Sequence, residues 1–426
     1  MTDVSNATSG TAADPGGHSL ADAFDLQRLP DAFYSDPHPT YRALREHDPV
    51  RRMPDGSLFL TRHADLVAVY KDVRTFSSDK QIEFGPKYGA GSPLHAHHTT
   101  SLVFNDPPAH TRVRRLIAGA LTPRHVQAME ARLESLVDRL LEGLERRIAA
   151  VPGEPVDVIE AYASAIPVEV IGNLLDVPRA EREPLRDWSL AILGALEPVL
   201  TPAQEAAGHA AVSHFSAWLE TLVERRRARP GDPEVDVLSR LIAGEADTGG
   251  ATLSTAELLH NCIFLLNAGH ETTTNLIGNG LALLDAWPEA RARVVADPSL
   301  LRTAIEEFLR MESSNQLGNR IAVAEGQIAG VPVSPGTRVT LCIGAANRDP
   351  AAFAEPDRLD PARHPNRHLA FGSGIHQCVG MGLARLEARV ALGGFLARFP
   401  RYRVVEAVRA RRVRFRGHER LEAVLA

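Results

Sequence analysis

The spacing of apolar residues along this 426-residue chain follows the helical period in most segments. Apolar side chains that recur three and four positions apart predict amphipathic helices, whereas short alternating runs predict strands, here near 50–60 and 320–342. The longest helical pattern covers 254–286 and begins with a possible capping box, Ser254 with Glu257. The chain is therefore predicted to be mainly α-helical with a small β-rich lobe. The other predicted helices are 23–38 in part, 41–47, 63–71, 109–119, 124–148, 159–175, 181–197, 202–228, 234–243, 289–296, 298–311 and 379–398.

A polar stretch, 267–275, interrupts the apolar pattern at the centre of the longest predicted helix. It holds Gly269 and the consecutive threonines 272–274, which are poor helix formers. Threonine hydroxyls can bond back to the carbonyl four residues earlier and bend the helix. We expect a distortion that leaves a groove for a small ligand. The carboxylate of Glu271 beside the hydroxyl of Thr272, in a mostly apolar site, would suit proton transfer.

The first twenty residues differ from the rest, because they contain Ser, Thr, Asp, Gly and Pro but no Lys or Arg. We expect a disordered tail over 1–20, followed by a single domain over 21–426. The sequence shows neither a signal peptide nor a transmembrane candidate. Its three cysteines, Cys262, Cys342 and Cys378, suit a reducing compartment. We therefore expect a soluble, cytoplasmic monomer that does not associate with a membrane.

Charge and composition narrow the function classes further. A net charge of -6 disfavours nucleic acid as a partner. Lysines are rare among the basic residues, which disfavours Schiff-base chemistry and a phosphate-loop lysine. No Gly-x-Gly-x-x-Gly follows a predicted strand, so no nicotinamide or flavin site is visible. Any redox reaction would therefore take its electrons from a separate protein.

Cys378 lies in the run 371–380, Phe-Gly-Ser-Gly-Ile-His-Gln-Cys-Val-Gly, at the start of the predicted helix 379–398. Glycines let the backbone approach a large flat ligand and allow the positive φ of a tight turn. A thiol at a helix N-terminus gains from the helix dipole and from unpaired N–H groups, which lower its pKa. The run therefore predicts a thiolate held against a large flat ligand.

The same run matches Phe-Gly-x-Gly-x-His-x-Cys-x-Gly and resembles the haem-ligand loop of the cytochrome P450 monooxygenases. The resemblance implies the cytochrome P450 fold and haem b (iron protoporphyrin IX) as the cofactor. It implies Cys378 as the proximal iron ligand and His376 as a contact of a haem propionate. Phe371, Gly372 and Gly380 are then expected to contact the cofactor. With the segments described next, the resemblance covers most of residues 30–420.

The polar stretch of the longest helix resembles the family's Ala/Gly-Gly-x-Asp/Glu-Thr-Thr signature. The matching positions imply that Ala268 and Gly269 lie against the haem, and that Glu271 and Thr272 relay protons for O–O bond cleavage. Thr273 completes the match.

Charged residues extend the resemblance. Glu307 and Arg310 match the family's Glu-x-x-Arg pair, and Arg358 resembles the third member of a buried ion triad that fixes the loop behind the haem. Arginine and histidine donors suit carboxylates, so a clamp for the two propionates is predicted. Its four members are His110, Arg114, Arg320 and His376.

One departure from the family concerns the segment after Arg310, which usually carries an aromatic residue and then Ser-Pro. This chain has Met-Glu-Ser-Ser at 311–314, with Ser314 in place of the proline. The turn toward Arg320 is then less constrained, which puts the shape of the substrate pocket on that side in doubt.

Two further groups of residues are interpreted more simply. Three histidines lack the spacing of metal ligands and are predicted to lie in a flexible loop. Four arginines are expected near the haem edge, where they would dock an acidic iron–sulfur protein. The histidines are His95, His97 and His98, and the arginines are Arg112, Arg115, Arg124 and Arg385.

These features predict a haem-thiolate monooxygenase that inserts one oxygen atom of O2 into a small organic substrate. Its electrons would come from an external ferredoxin and ferredoxin reductase. Two alternatives stay open: a peroxygenase that needs no redox partner, which the Glu271–Thr272 pair argues against, and a haem-binding sensor without turnover. The sequence does not indicate the substrate, whose pocket is predicted from 78–103, 185–205, 265–269 and 315–317.

Overall fold

The computed structural model describes residues 15–233, 236–243 and 253–426. Within them the chain is mainly α-helical with small sheets, as predicted from the sequence. The helices are α1 Pro15–Asp22, α2 Asp31–Ser35, α3 His38–His47, α4 His63–Lys71, α5 Gln81–Tyr88, α6 Pro93–Thr100, α7 Ala109–Ala120, α8 Pro123–Ala128, α9 Glu130–Ala150, α10 Ala165–Leu174, α11 Leu185–Gly194, α12 Pro202–Ala228, α13 Val237–Ala243, α14 Thr255–Ala286, α15 Pro288–Ala296, α16 Leu301–Met311, α17 Ile343–Ala346 and α18 Met381–Arg398. The strands are β1 Val50–Arg52, β2 Leu58–Leu60, β3 Phe76–Ser77, β4 Val156–Asp157, β5 Leu317–Ala322, β6 Gly326–Ile328, β7 Val331–Val333, β8 Arg338–Cys342, β9 Arg403–Arg409 and β10 His418–Val424.

Helix α14 runs through the centre of the helical part and begins with the predicted capping box of Ser254 and Glu257. Its N-terminal half packs into an apolar cluster with α7, α11 and α12, and its C-terminal half packs into a second cluster with α9, α16 and α18. The polar stretch 267–275 contributes to neither cluster. The packing of the core therefore leaves this stretch free to face a site.

Three small sheets surround the helices. The largest has the order β1-β2-β8-β5-β3, with β2 and β8 parallel and the other neighbours antiparallel. Strands β9 and β10 form a C-terminal hairpin that also pairs with β4. The connection between β9 and β10 carries Arg412, Arg414 and Phe415 toward α11, α14 and β5. This hairpin thus supplies side chains to the centre of the molecule.

Several predicted elements are wrong in type or extent. Residues 15–20 of the predicted tail belong to α1, and residues 1–14 lie outside the described residues, as do 234–235 of a predicted helix. The predicted helix 23–38 is reduced to α2, and 159–175 begins with a π-helical segment, Ile159–Ala163. The patterns missed α5, α6, α17, β3, β4 and the β9–β10 hairpin. The predicted single domain over 21–426 stays a prediction.

Two observations of the fold bear on the functional predictions. The three histidines predicted to lie in a flexible loop belong to α6, and His97 and His98 are buried there. Among the described residues, no helix combines the length and the apolar character needed to cross a bilayer.

Candidate functional site

A cavity of about 330 Å³ separates the polar stretch of α14 from the loop that precedes α18. Most residues predicted to hold a cofactor line it, although they come from segments far apart in the sequence. Glu271 and His110 do not belong to the lining. The predicted residues that do line the cavity are Arg114, Ala268, Gly269, Thr272, Arg320, Phe371, Gly372, His376, Cys378 and Gly380.

The loop before α18 presents the sulfur of Cys378 to this cavity. Gly372 and Gly374 have φ values of +66° and +70°, which L side chains adopt only with strain. A Cβ at Gly374 would also collide with the carbonyl oxygen of Tyr70. The N–H of Cys378 donates to the carbonyl of Phe371 at 2.8 Å and closes the turn. The thiol is free and accessible from the cavity.

The electrostatic surroundings of Cys378 correct one expectation. Burial raises the pKa of this thiol, although the N–H of Gly380 and the guanidinium groups of Arg114 and Arg385 act in the opposite direction. The helix terminus and the nearby arginines therefore offset the effect of burial only in part. A bound metal cation is the additional charge that would hold it as a thiolate.

Three of the four predicted donors, Arg114, Arg320 and His376, line the cavity, and the fourth, His110, lies against His376. The rings of His110 and His376 lie 4.1 Å apart between centroids. Both nitrogens of His110 and Nε2 of His376 are buried without a hydrogen-bond partner among the described residues. Burial and then Arg320 lower the pKa of His376 to about 2. Arg114 donates to the carbonyl of Gln377 at 2.6 Å.

The edge of the cavity at these four residues is therefore cationic and short of acceptors. Arg114 and Arg320 both line the cavity beside the partnerless nitrogens of the two histidines. Two carboxylates would supply acceptors and balance the positive charge. The residues present thus fit a flat dicarboxylate ligand whose metal faces Cys378, which is the chemistry of a haem.

Thr272 lies on the opposite wall, whereas its neighbour Glu271 lies outside the lining. The hydroxyl of Thr272 lines the cavity and donates to the carbonyl of Ala268 at 2.7 Å, the predicted bond to residue i−4. Both carboxylate oxygens of Glu271 accept hydrogen bonds from Nη1 of Arg412, at 2.6 and 2.7 Å. Burial raises the pKa of Glu271, and Arg412 opposes that shift. The acid is thus buried beside the cavity and held by an ion pair.

Sequence reasoning did not find Arg412. It lies in the connection between β9 and β10 and also donates to the carbonyl of Leu190 in α11 at 3.1 Å. Ser314, the residue in place of the family's proline, donates from its hydroxyl to the carbonyl of Thr272 at 2.7 Å. The serine in place of the family's proline therefore adds a side-chain hydrogen bond to the backbone of Thr272.

The predicted ion triad forms with a different third member. Arg310 donates to both oxygens of Glu307 at 2.8 Å, and both side chains are fully buried. Nε of Arg363 lies 3.0 Å from each oxygen of the same carboxylate. Arg358 is exposed and pairs with Glu355 at 3.1 Å. The assignment of Arg358 to the triad is therefore wrong, because Arg363 occupies that place.

The proposed docking arginines are only partly available. Arg112 pairs with Glu257, and Arg385 pairs with Glu306 through two bonds of 2.7 and 2.8 Å. Arg115 and Arg124 are exposed on α7 and α8, and neither forms an ion pair within the described ranges. Within the described ranges, Arg115 and Arg124 are therefore the two predicted docking arginines whose charges are not already paired.

Comparison with known proteins identifies the family. The cytochrome P450 family model matches residues 56–402. Vitamin D(3) 25-hydroxylase of Pseudonocardia autotrophica is 38% identical over 372 residues, covering 86% of this chain and 87% of that protein. The 6-deoxyerythronolide B hydroxylase of Saccharopolyspora erythraea is 36% identical over 379 residues, covering 87% of this chain and 90% of the other.

Solved structures agree with the sequence comparisons. P450BioI, in complex with an acyl carrier protein ligated to hexadec-9Z-enoic acid, has a TM-score of 0.86 and 31% identity. The match covers 93% of this chain and 99% of P450BioI. The chain therefore belongs to the cytochrome P450 family and is a haem-thiolate monooxygenase.

Proposed function

We propose that the thiolate of Cys378 ligates the iron of haem b and that His110, Arg114, Arg320 and His376 hold its propionates. The observation that carries this proposal is the single cavity between Cys378 and Thr272, with partnerless imidazole nitrogens at its cationic edge. When bound, the haem supplies dioxygen activation and transfer of one oxygen atom to an organic substrate, with the second atom released as water.

The chain's own contribution to that reaction is the handling of protons. Thr272 offers a hydroxyl to the cavity, while Glu271 lies next to it in the helix and outside the cavity wall. We propose that Glu271 replenishes the proton of Thr272 and that Arg412 holds the carboxylate in place between turnovers. A buried acid next to the threonine can pass a proton to its hydroxyl without opening the apolar site to water.

Electrons are proposed to come from an external ferredoxin and its reductase, because the sequence carries no nicotinamide or flavin motif. The exposed cations Arg115 and Arg124 are the proposed contact for an acidic ferredoxin. Reversal of both charges should weaken ferredoxin binding, whereas reversal of the exposed Arg358 should not. Equal affinity of both variants would refute the docking proposal. We also propose a monomer that acts in the cytoplasm.

The relatives named as hydroxylases of vitamin D3 and of 6-deoxyerythronolide B suggest a bulky, largely apolar substrate. Leucine, isoleucine and phenylalanine side chains form much of the cavity wall, which suits such a molecule. Candidate substrates can be identified by the high-spin shift that accompanies their entry into the holoenzyme.

Turnover of the purified holoenzyme with ferredoxin, reductase and NADPH tests the reaction class. We expect product and NADPH consumption in the wild type, and a fall of about 10²-fold in product formation for Thr272→Ala. Thr274→Ala is the matched control, because its hydroxyl makes the same kind of bond, to the carbonyl of His270 at 3.0 Å, but does not line the cavity.

The same measurement separates the alternatives. A peroxygenase would form product from hydrogen peroxide alone and would be insensitive to Thr272→Ala. A sensor would bind ligands without consuming NADPH for any of the substrates that shift its spin state. Either result would refute the proposed function.

A further inference from the structure

Two adjacent histidines of α6 lie in the cavity wall without an evident structural role. His97 and His98 are each 2% exposed, and both line the cavity. Nδ1 of His97 and Nε2 of His98 are buried without a hydrogen-bond partner among the described residues. The proposed propionates explain why nitrogens of His110 and His376 have no partner among the described residues. They do not explain the nitrogens of His97 and His98, which lie on another element.

An asparagine of α14 also lines the cavity with buried polar atoms that have no hydrogen-bond partner in the described chain. Asn267, directly before Ala268, is 2% exposed and lines the cavity, and neither its amide oxygen nor its amide nitrogen has a partner in the described chain. It lies seven residues after His260, whose ring is 5.6 Å from that of His97. Seven residues are two helical turns, about 10 Å along one face. His97 therefore meets α14 about two turns before Asn267, and both residues line the cavity.

The other neighbours of His98 are three aromatic rings and two cations, Lys87 and Arg414. Both cations already donate to backbone carbonyls, Lys87 to that of Glu197 and Arg414 to those of Leu196 and Leu317. The ring of His98 lies 5.5 Å from each of the rings of Phe84, Tyr88 and Phe104. A buried polar group without a partner is destabilising, and such groups are few in folded proteins. Three of them on one cavity wall are explained if a ligand supplies the missing hydrogen bonds.

The charge state of these groups limits the ligand. Burial lowers the pKa of His98 to about 3 and that of His97 well below its ordinary value, so both rings are neutral at neutral pH. A neutral imidazole and a carboxamide each provide a donor and an acceptor but no charge. An ionised carboxylate or ammonium group would lose its hydration without a counter-charge from these residues.

We propose that His97, His98 and Asn267 form a polar anchor, in which one of these neutral groups binds a hydroxyl or carbonyl oxygen of an otherwise apolar substrate. The anchor rests on the proposed function, since it orients a substrate toward the haem. It would select oxygenated molecules, such as alcohols or ketones with a large hydrocarbon body, over hydrocarbons of the same shape.

Four probes of equal carbon number test the anchor on the holoenzyme: cyclopentadecanone, cyclopentadecanol, cyclopentadecane and pentadecanoate. Dissociation constants are measured by the spin-state shift and by calorimetry. In the wild type we expect the ketone and the alcohol to bind at least about fivefold more tightly than the hydrocarbon, as for one net hydrogen bond. The carboxylate should gain no such advantage.

At least one of the variants His97→Phe, His98→Phe and Asn267→Leu should reduce this preference by about fivefold while the hydrocarbon still binds. Phe264→Leu changes the same wall without removing a polar group, and should shift all four probes alike. Retained binding of the hydrocarbon shows that each variant is folded.

Three outcomes would overturn the anchor: equal binding of ketone and hydrocarbon in the wild type, a preference that survives the three substitutions, or no binding of any probe. Each is distinguishable from failure of the proposed function. In all three cases the reduced carbon monoxide complex would still show the strongly red-shifted Soret band of a thiolate-ligated haem. Absence of that band would refute the proposed function instead.

Discussion

Replacement of Arg363 by methionine tests the corrected ion triad. Glu307 is fully buried, and the side chain of Arg363 is 12% exposed, whereas that of Arg358 is 62% exposed. Methionine keeps much of the apolar stem of arginine and removes its charge and donors. Arg358→Met, five residues earlier, removes the same groups from the solvent-exposed pair with Glu355 and is the matched control.

The expected loss in the free energy of unfolding depends on the contacts that Glu307 keeps in the variant. Without Arg363, the carboxylate of Glu307 keeps two bonds from Arg310, one from the N–H of Asp360 and one from Asn366. The variant also loses bonds from Arg363 to the exposed carbonyls of Ala354, Glu355 and Arg358, where water can replace the donor. The main loss is therefore the charge-assisted hydrogen bond to Glu307, about 2–3 kcal/mol, rather than the 3–5 kcal/mol of a fully broken buried pair. For Arg358→Met, which removes an exposed ion pair, we expect the free energy of unfolding to fall by less than about 0.5 kcal/mol.

Thermal unfolding followed by circular dichroism measures the difference. An unfolding entropy of about 2.1 cal/mol/K per residue gives about 0.9 kcal/mol/K for the whole chain, so Arg363→Met should lower Tm by about 2–3 °C. Asn366 connects the triad to the segment before Cys378, so the variant should also bind haem less completely. A larger loss of stability for Arg358→Met than for Arg363→Met would refute the corrected triad.

Three further predictions concern single side chains. Burial raises the pKa of the Glu312 carboxyl, but Arg416, the hydrogen bond with His38 and Arg409 outweigh burial and hold this pKa well below its ordinary value. The contribution of Glu312 to stability is therefore present above about pH 4.5 and is lost on acidification. Glu312→Gln should cost about 3–5 kcal/mol at pH 7 and flatten the acid limb of a Tm-against-pH curve. Gly374→Ala should cost at least about 1–3 kcal/mol and reduce the haem content of the purified protein, because of its positive φ and the facing carbonyl, whereas Gly382→Ala, in open space within α18, should be neutral or stabilising. Arg412→Gln should lower the product formed per NADPH consumed, whereas Arg411→Gln, at an exposed ion pair, should leave this ratio unchanged.

The residues that sequence reasoning located correctly belong to contiguous motifs. The run 371–380 needs only its local turn, with glycines at positive φ, to present Cys378, and the capping box of α14 is equally local. The polar stretch of α14 was recognisable because it breaks an apolar pattern at a known period. Such features depend on neighbours within one or two turns and can therefore be derived from sequence.

The errors have a common physical origin in tertiary contacts. Arg358 and Arg363 are the same residue type five positions apart, and only the fold decides which of them reaches Glu307. Arg412 meets Glu271 across 141 residues of sequence. Helix α5 contains Gly85 and Pro86, which disfavour a helix locally, so its formation depends on the packing of Phe84 and Tyr88.

The most direct test of this account is the visible spectrum of Cys378→Ser, reduced under carbon monoxide. The wild type and Cys262→Ser, which alters a cysteine buried in α14, should show a strongly red-shifted Soret band. Cys378→Ser should lack that band, because serine cannot supply the sulfur ligand to iron. Persistence of the red-shifted band in Cys378→Ser would contradict the central assignment.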